Sequence, residues 1–341
     1  MRVKQSAPLL ALTGGDNGRS LPLHKQAGTN PDWRAMRKRM ALCAIWALFG
    51  VGPAVAGQPQ HTAPHAQKFA QFEPHPAIWQ VSDGDTTLYL FGTTHALPKH
   101  FAWQSPKLKQ VVQTADELVV ESLDTRDSKA KSDASIDDAL NPVVDNNPIL
   151  GRVALEKRAA LQKAITRSGF PTQFYDAMPT WMASLVLAVE TMTQDGRDKS
   201  EGVEARLIAA FQRSGRPIKA AEDGSLILRK MHALSADAQR RMLENTLDDI
   251  DSAGANSAAM DKAWVKGDVA ALADGFTREA LGEELYTLLI LNRNNAWSDW
   301  IADRMHRPGT VLFAVGAGHF SGPDALPILL AQRGMRVTRI D

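Results

Sequence analysis

Two histidines follow glycines at the same interval. "TLYLFGTTH" ends on His95 and "VLFAVGAGH" on His319, each an apolar run, a glycine, two small residues and an imidazole. A third apolar run, "ELVVES", delivers Glu121. Two imidazoles and a carboxylate form a common ligand set for a divalent metal such as Mn, Co or Zn, with positions left for water and substrate. A cation held in this way lowers the pKa of bound water and polarises a carbonyl, so the natural reaction is hydrolysis. A single histidine after a strand is more often a loop or packed residue. Two in matched contexts point to a shared site.

Other candidates carry less. Arg293 and Asn294, in "LNRNNAW", can anchor an oxyanion or a carboxylate if their helix faces the site; otherwise they are a solvated helix face. Glu222 follows the short run "IKAA" and can join the cluster as a general base or as a partner for a histidine. Glu204 lies in the first turn of a helix after Gly202, where a carboxylate suits the helix dipole without any function. No G-x-S-x-G elbow, H-E-x-x-H pair, P-loop or dinucleotide fingerprint occurs, so serine hydrolases, ordinary zincins and nucleotide enzymes lose support. The one cysteine is Cys43, which leaves a metal to histidine, carboxylate or carbonyl oxygen.

These residues need strands that end at one edge of one sheet, the crevice where α/β folds bind ligands. "AIWQVSDGDTTLYLFG" predicts a hairpin around Asp83-Gly84 whose second strand leads to His95. A short helix over Ser105–Thr114 precedes the strand that ends at Glu121, and a charged loop runs from Asp124 to Asp138. "ALEKRAALQKAITRSG", "QFYDAMPTWMASLVLAVETMTQ" and "GVEARLIAAFQRSG" have helical apolar spacing, and "PIKAAED" reads as a short strand. Further helices end in a long one around "EELYTLLILNRNNAWSDWIADRMH", and a β-α-β unit closes the chain. The predicted fold is α/β (α+β): a central mixed sheet with a strand-Gly-x-x-His unit near each end of the chain and a large helical insertion over about 140–308.

Composition sets the remaining bounds. The 341 residues have ordinary apolar and charged fractions, which excludes a disordered or fibrous chain. A formal net charge of +1 argues against a dedicated nucleic-acid binder. "MRKRMALCAIWALFGVGPAVAGQ" has the basic, apolar and small-residue parts of a secretory signal, with an apolar stretch too short to span a bilayer. The expected organisation is therefore a gene-model extension over 1–35, a signal peptide over Met36–Ala56, a flexible linker over 57–75 and one domain over 76–341. A periplasmic or secreted protein with no stable membrane span after cleavage follows.

The stretches "LYLFGTTHALP", "ADELVVES", "GVEARLIAAFQRSGRPIKAAED", "LNRNNAWSDWIA" and "VLFAVGAGHFSGPDALPILLAQRGMRVTRI" resemble, in that order, the TraB/GumN family. That family includes the pheromone-shutdown proteins and the Tiki metalloproteases, and the GumN-like branch is the most similar. The resemblance implies a sheet-centred α/β fold with paired motif histidines at His95 and His319, the strand-end acid at Glu121 and the Arg-Asn pair at Arg293 and Asn294. Glu222 matches an acidic position, with Ala221 where a larger apolar residue is usual, and Glu204 stands where Asp is common. Tiki members are metal-dependent peptidases acting near the N-termini of their substrates, which implies a divalent metal and a peptide or protein substrate here. The competing expectation is a non-catalytic periplasmic ligand-binding or regulatory protein, connected to exopolysaccharide production. The oligomeric state stays open.

Overall fold

The computed structural model describes residues 73–123, 130–135, 147–250 and 253–341. The expected extension, the signal segment, most of the linker and most of the Asp124–Asp138 loop lie outside the described residues. Strands β1 (Ile78–Ser82) and β2 (Thr86–Thr93) form the antiparallel hairpin. Its turn closes through Asp83, whose carboxylate accepts the Thr86 N–H at 2.9 Å. An Asp side chain can bond the backbone a few residues on in this way, which is why it suits a turn.

The short β3 (Leu97–Pro98) is followed by helix α1 (Pro106–Thr114), which begins where Ser105 Oγ accepts the Leu108 N–H at 3.1 Å. Next come β4 (Glu117–Val120), α2 (Arg158–Ser168) and α3 (Thr180–Gln194). The continuous apolar spacing of "QFYDAMPTWMASL" is divided at Pro179, which stands just before α3 and has no N–H to continue an earlier helix. Strand β5 (Arg197–Asp198), helix α4 (Val203–Arg213) and strand β6 (Ile218–Ala220) lead into α5 (Ala236–Ile250) and α6 (Ala253–Val265). The chain ends with α7 (Asn292–Arg304), β7 (Gly309–Gly316), α8 (Leu326–Gln332) and β8 (Val337–Arg339).

Six strands form one sheet in the order β6-β4-β7-β2-β1-β8, while β3 and β5 pair separately. β2 runs parallel to β7, β7 to β4 and β4 to β6, so four neighbouring strands end at the same edge. β1 is antiparallel to both β2 and β8, which makes the sheet mixed, as predicted. The two central strands, β2 and β7, are buried along most of their length because both faces are covered. One face packs Phe91, Leu118, Leu312 and Ala314 against α1, α4 and Trp264. The other packs Leu88, Leu90, Val311 and Phe313 against Trp297, Ile301, Leu326 and Leu330. A third core, around Trp181, Met182, Leu243 and Leu247, belongs to the helical insertion and joins α3 to α5. No helix among the described residues is long and apolar enough to cross a membrane.

The expected long helix before β7 is interrupted. Residues Thr287–Leu291 form a π-helical turn in which the Asn292 N–H reaches back five residues to the Thr287 carbonyl. Such a turn carries one extra residue, which rotates everything after it relative to the preceding helix. The residues after it are Arg293 and Asn294.

Glu117 ties three elements together at the opposite edge. It accepts from Arg304 Nε of α7 at 2.7 Å and from Lys219 of β6. Burial pushes its pKa up, but the Lys219 and Arg304 contacts prevail and hold it below the ordinary 4.5. A carboxylate depressed in the folded state adds stability that is present above its unfolded pKa and lost as pH falls through the lower folded value. Glu117→Gln is therefore expected to cost on the order of 2 kcal/mol at pH 7. Urea denaturation from pH 7 to pH 3 should show this gap to wild type closing below about pH 4.5; a gap independent of pH contradicts the assignment.

Candidate functional site

Register brings the motif residues together. Thr93 of β2 is paired with Gly316 of β7, and Val120 of β4 with Ala314 of β7. His95, His319 and Glu121 thus leave three adjacent parallel strands at one edge. Glu222 follows β6, the next strand along, and its N–H donates to the Glu121 carbonyl at 3.0 Å. All four predicted strand-end residues occupy one corner of the fold.

The motif glycines supply room rather than unusual backbone geometry, since neither Gly92 nor Gly316 has a positive φ. A Cβ on Gly316 would stand 2.9 Å from Glu121 Oε1, 3.7 Å from His319 Cδ2 and 4.0 Å from His95 Nε2. A Cβ on Gly92 would stand 3.1 Å from the Ala317 Cα of the other motif. Each glycine lets the two motifs lie against each other. The Gly316 N–H also donates to Glu121 Oε1 at 2.6 Å.

Arg293 enters from α7 and joins the charged groups. Its Nη2 donates to Glu121 Oε2 at 2.6 Å and to Glu222 Oε1 at 2.5 Å, and its Nε to Glu222 Oε2 at 3.1 Å. Nη1 donates to His319 Nε2 at 3.1 Å and to the Leu289 carbonyl in the π-helical turn at 3.3 Å. Trp297, one turn further along α7, lies under the guanidinium at 4.7 Å and against the His319 ring at 4.5 Å. A cation over an indole face gains further attraction when it is desolvated.

Both imidazoles are fixed through Nδ1. Asn294 Nδ2 donates to the His319 and Asp324 carbonyls, at 3.2 and 2.8 Å, so its Oδ1 is the acceptor for His319 Nδ1–H at 2.7 Å. His319 Nε2 is then unprotonated and accepts from Arg293. His95 Nδ1 donates to Glu204 Oε2 at 3.2 Å, and Glu204 Oε1 accepts from the Thr93 hydroxyl at 3.0 Å. Asn294 is fully buried and committed to His319 and two carbonyls, so it reaches the site only through the histidine it holds.

The charges follow from these contacts. Burial disfavours protonation of His319, the neighbouring Arg293 adds to this, and its pKa falls to about 3. Burial also works against charge on His95, but the Glu204 carboxylate outweighs it and raises the pKa to about 9. Burial alone would raise Glu121; Arg293 and the neighbouring imidazoles bring it down to about 2. Glu222 and Glu204 are net raised, burial being the largest cause in each. At neutral pH the corner holds a charged Arg293, a charged His95 and a neutral His319.

The donor types fit a divalent metal. Each ring Nδ1 bonds to an oxygen, the arrangement that orients metal-ligating histidines, and Glu121 Oε1 lies 3.8 Å from His319 Nε2. Arg293 competes for two of the three donors, Glu121 and His319 Nε2, and a proton competes for the third, since the charged His95 must release Nε2–H before that nitrogen can hold a cation. Among the described residues no three His, Cys, Asp or Glu side chains are already grouped to hold a metal ion.

Two participants escape a reading of local sequence. Glu204 satisfies the helix-dipole rule where it stands, yet its side chain is buried against His95, 109 positions away. Trp297 reads as an ordinary core aromatic; its spacing of four from Arg293 was the available signal. Gly316→Ala tests the close approach of the motifs. Its Cβ must displace Glu121, so the variant is expected to lose about 1–3 kcal/mol in chemical denaturation, and wild-type stability would contradict the packing described.

The same corner opens on a cavity of about 830 Å³ between the strand ends and the helical insertion. In comparison with known proteins, no curated protein and no solved structure matches the chain. The family model of the TraB/PrgY/gumN family matches residues 77–339, which include both Gly-x-x-His units, Glu121, Glu204, Glu222 and the Arg293-Asn294 pair. The chain belongs to the TraB/PrgY/gumN family.

Proposed function

We propose that this protein is an exported, divalent-metal-dependent hydrolase that cleaves peptide bonds, with His95, Glu121 and His319 as the metal ligands. The observation that carries the proposal is the matched anchoring of the two rings through Nδ1 beside one buried carboxylate. Mn, Co and Zn all suit such a donor set. When bound there, the cation would polarise the scissile carbonyl and lower the pKa of a water molecule.

The chain's own residues have distinct tasks. Glu204 holds His95 by Nδ1, and Asn294 holds His319 in the tautomer with a free Nε2. Glu222 is the candidate base, because burial raises a carboxyl that Arg293 only partly offsets. Arg293 is the donor for developing negative charge on the substrate oxygen. Binding of a cation at His319 requires Arg293 to give up its bond to Nε2, which makes this arginine the competitor for the site in the metal-free protein.

A second reading is supported by the same arginine. Arg293 bonds Glu121, Glu222 and His319 together, which suits a binding or regulatory protein that needs no metal. Elemental analysis after incubation with Mn, Co or Zn separates the two. The proposal expects near-stoichiometric metal in the wild type and its loss in His95→Ala and His319→Ala. Asn294→Ala should weaken metal binding by roughly 10–100-fold through the freed ring. Folded proteins that all remain metal-free would favour the second reading.

A further inference from the structure

The cavity above the strand ends is divided by chemistry. Its floor is the polar corner, formed by His95, Glu121, Arg293 and His319. Its walls come from the helical insertion and are mainly apolar, with Met192 of α3, Ile250 of α5, Met260 and Trp264 of α6, Phe276, and Leu289 of the π-helical turn. Ile250 and Trp264 are fixed in the core, whereas Met260 is 36% exposed at the mouth. At about 830 Å³ the cavity falls within the roughly 300–1,000 Å³ typical of ligand pockets.

One charged pair on this wall is internally neutralised. Arg197 Nη2 donates to Asp261 Oδ2 at 2.6 Å and Nη1 to Oδ1 at 3.2 Å, with both side chains buried. The pair joins β5 to α6 and keeps the wall in place. A mainly apolar wall of this kind suits an apolar group, which it would shield from water, above a polar floor.

We infer that this chamber selects peptides carrying a large apolar side chain, of the size of Leu, Met or Phe, immediately beside the bond held over His95 and His319. The inference rests on the hydrolase reading for the cleavage itself, but the binding preference stands on the cavity alone. Met260 and Leu289 are the specificity-determining residues. A charge at either position puts a hydrated ion where the apolar side chain binds.

Two measurements on the full chain test this. Isothermal titration of the metal-free protein compares N-acetyl-Leu-Phe-amide with N-acetyl-Ser-Asn-amide, and a mixed peptide library reports cleavage by protein incubated with Mn, Co or Zn. The blocked apolar peptide is expected to bind at least about tenfold more tightly than the polar one. Met260→Lys should abolish that preference, while Met260→Leu should retain it. Library products should carry Leu, Met or Phe next to the cut. Equal binding of the two peptides, an undiminished preference in a folded Met260→Lys, or cleavage indifferent to neighbouring side chains overturns the inference. Tight apolar binding with no cleavage of any peptide overturns the hydrolase reading and leaves the chamber's preference standing.

Discussion

A buried carboxylate, Glu121, beside a largely covered one, Glu222, at adjacent strand ends is the constraint to which the rest of the site responds. Glu121 and Glu222 follow paired strands and point into the same corner, where an unpaired carboxylate would cost several kcal/mol. Arg293 answers both, with Nη2 within 2.6 Å of each. The guanidinium suits this place because its planar donors can serve two acids and a ring nitrogen at once, which a lysine ammonium does less well. The position of α7 is set by that requirement. The π-helical turn before it rotates Arg293 toward the acids, while Trp297 supports the guanidinium and the His319 ring from below.

The histidines are held from opposite directions, and this makes the corner asymmetric. His319 is buried, neutral and clamped by Asn294 on the same helix as Arg293. His95 keeps 28% of its side chain exposed and is paired with Glu204 from α4. The first ring is therefore part of the floor, and the second borders the opening. Trp264 fastens the helical insertion to the motif strand itself by donating to the Gly92 carbonyl at 2.8 Å. Chamber wall and chemical floor are thus mechanically connected through one indole.

The sheet was legible because its signals are local. The Asp83 turn, the apolar runs of β2 and β7 and the two Gly-x-x-His units each lie within about ten residues, and parallel pairing then follows from placing both histidines at one edge. Glu121 and Glu222 were legible for the same reason, as acids that follow strands. Glu204 was not, because a first-turn carboxylate is already explained by the helix it begins, and its contact with His95 depends on how α4 docks. The π-helical turn left no mark either: one extra residue inside an apolar stretch leaves the helical spacing readable on both sides. The role of Asn294 depends on that turn, which decides whether its amide meets a ring or solvent.

The central claim is that Arg293 and Glu121 are energetically coupled as the neutralising centre of the site. A double-mutant cycle with Arg293→Met and Glu121→Leu, followed by urea denaturation at pH 7, measures that coupling directly. Arg293→Met leaves Glu121 without its cation, and Glu121→Leu leaves Arg293 with Glu222 as its remaining acid; each is expected to be destabilised, while the double variant recovers a coupling of about 2 kcal/mol or more. Additive losses, with coupling below about 0.5 kcal/mol, would contradict the account.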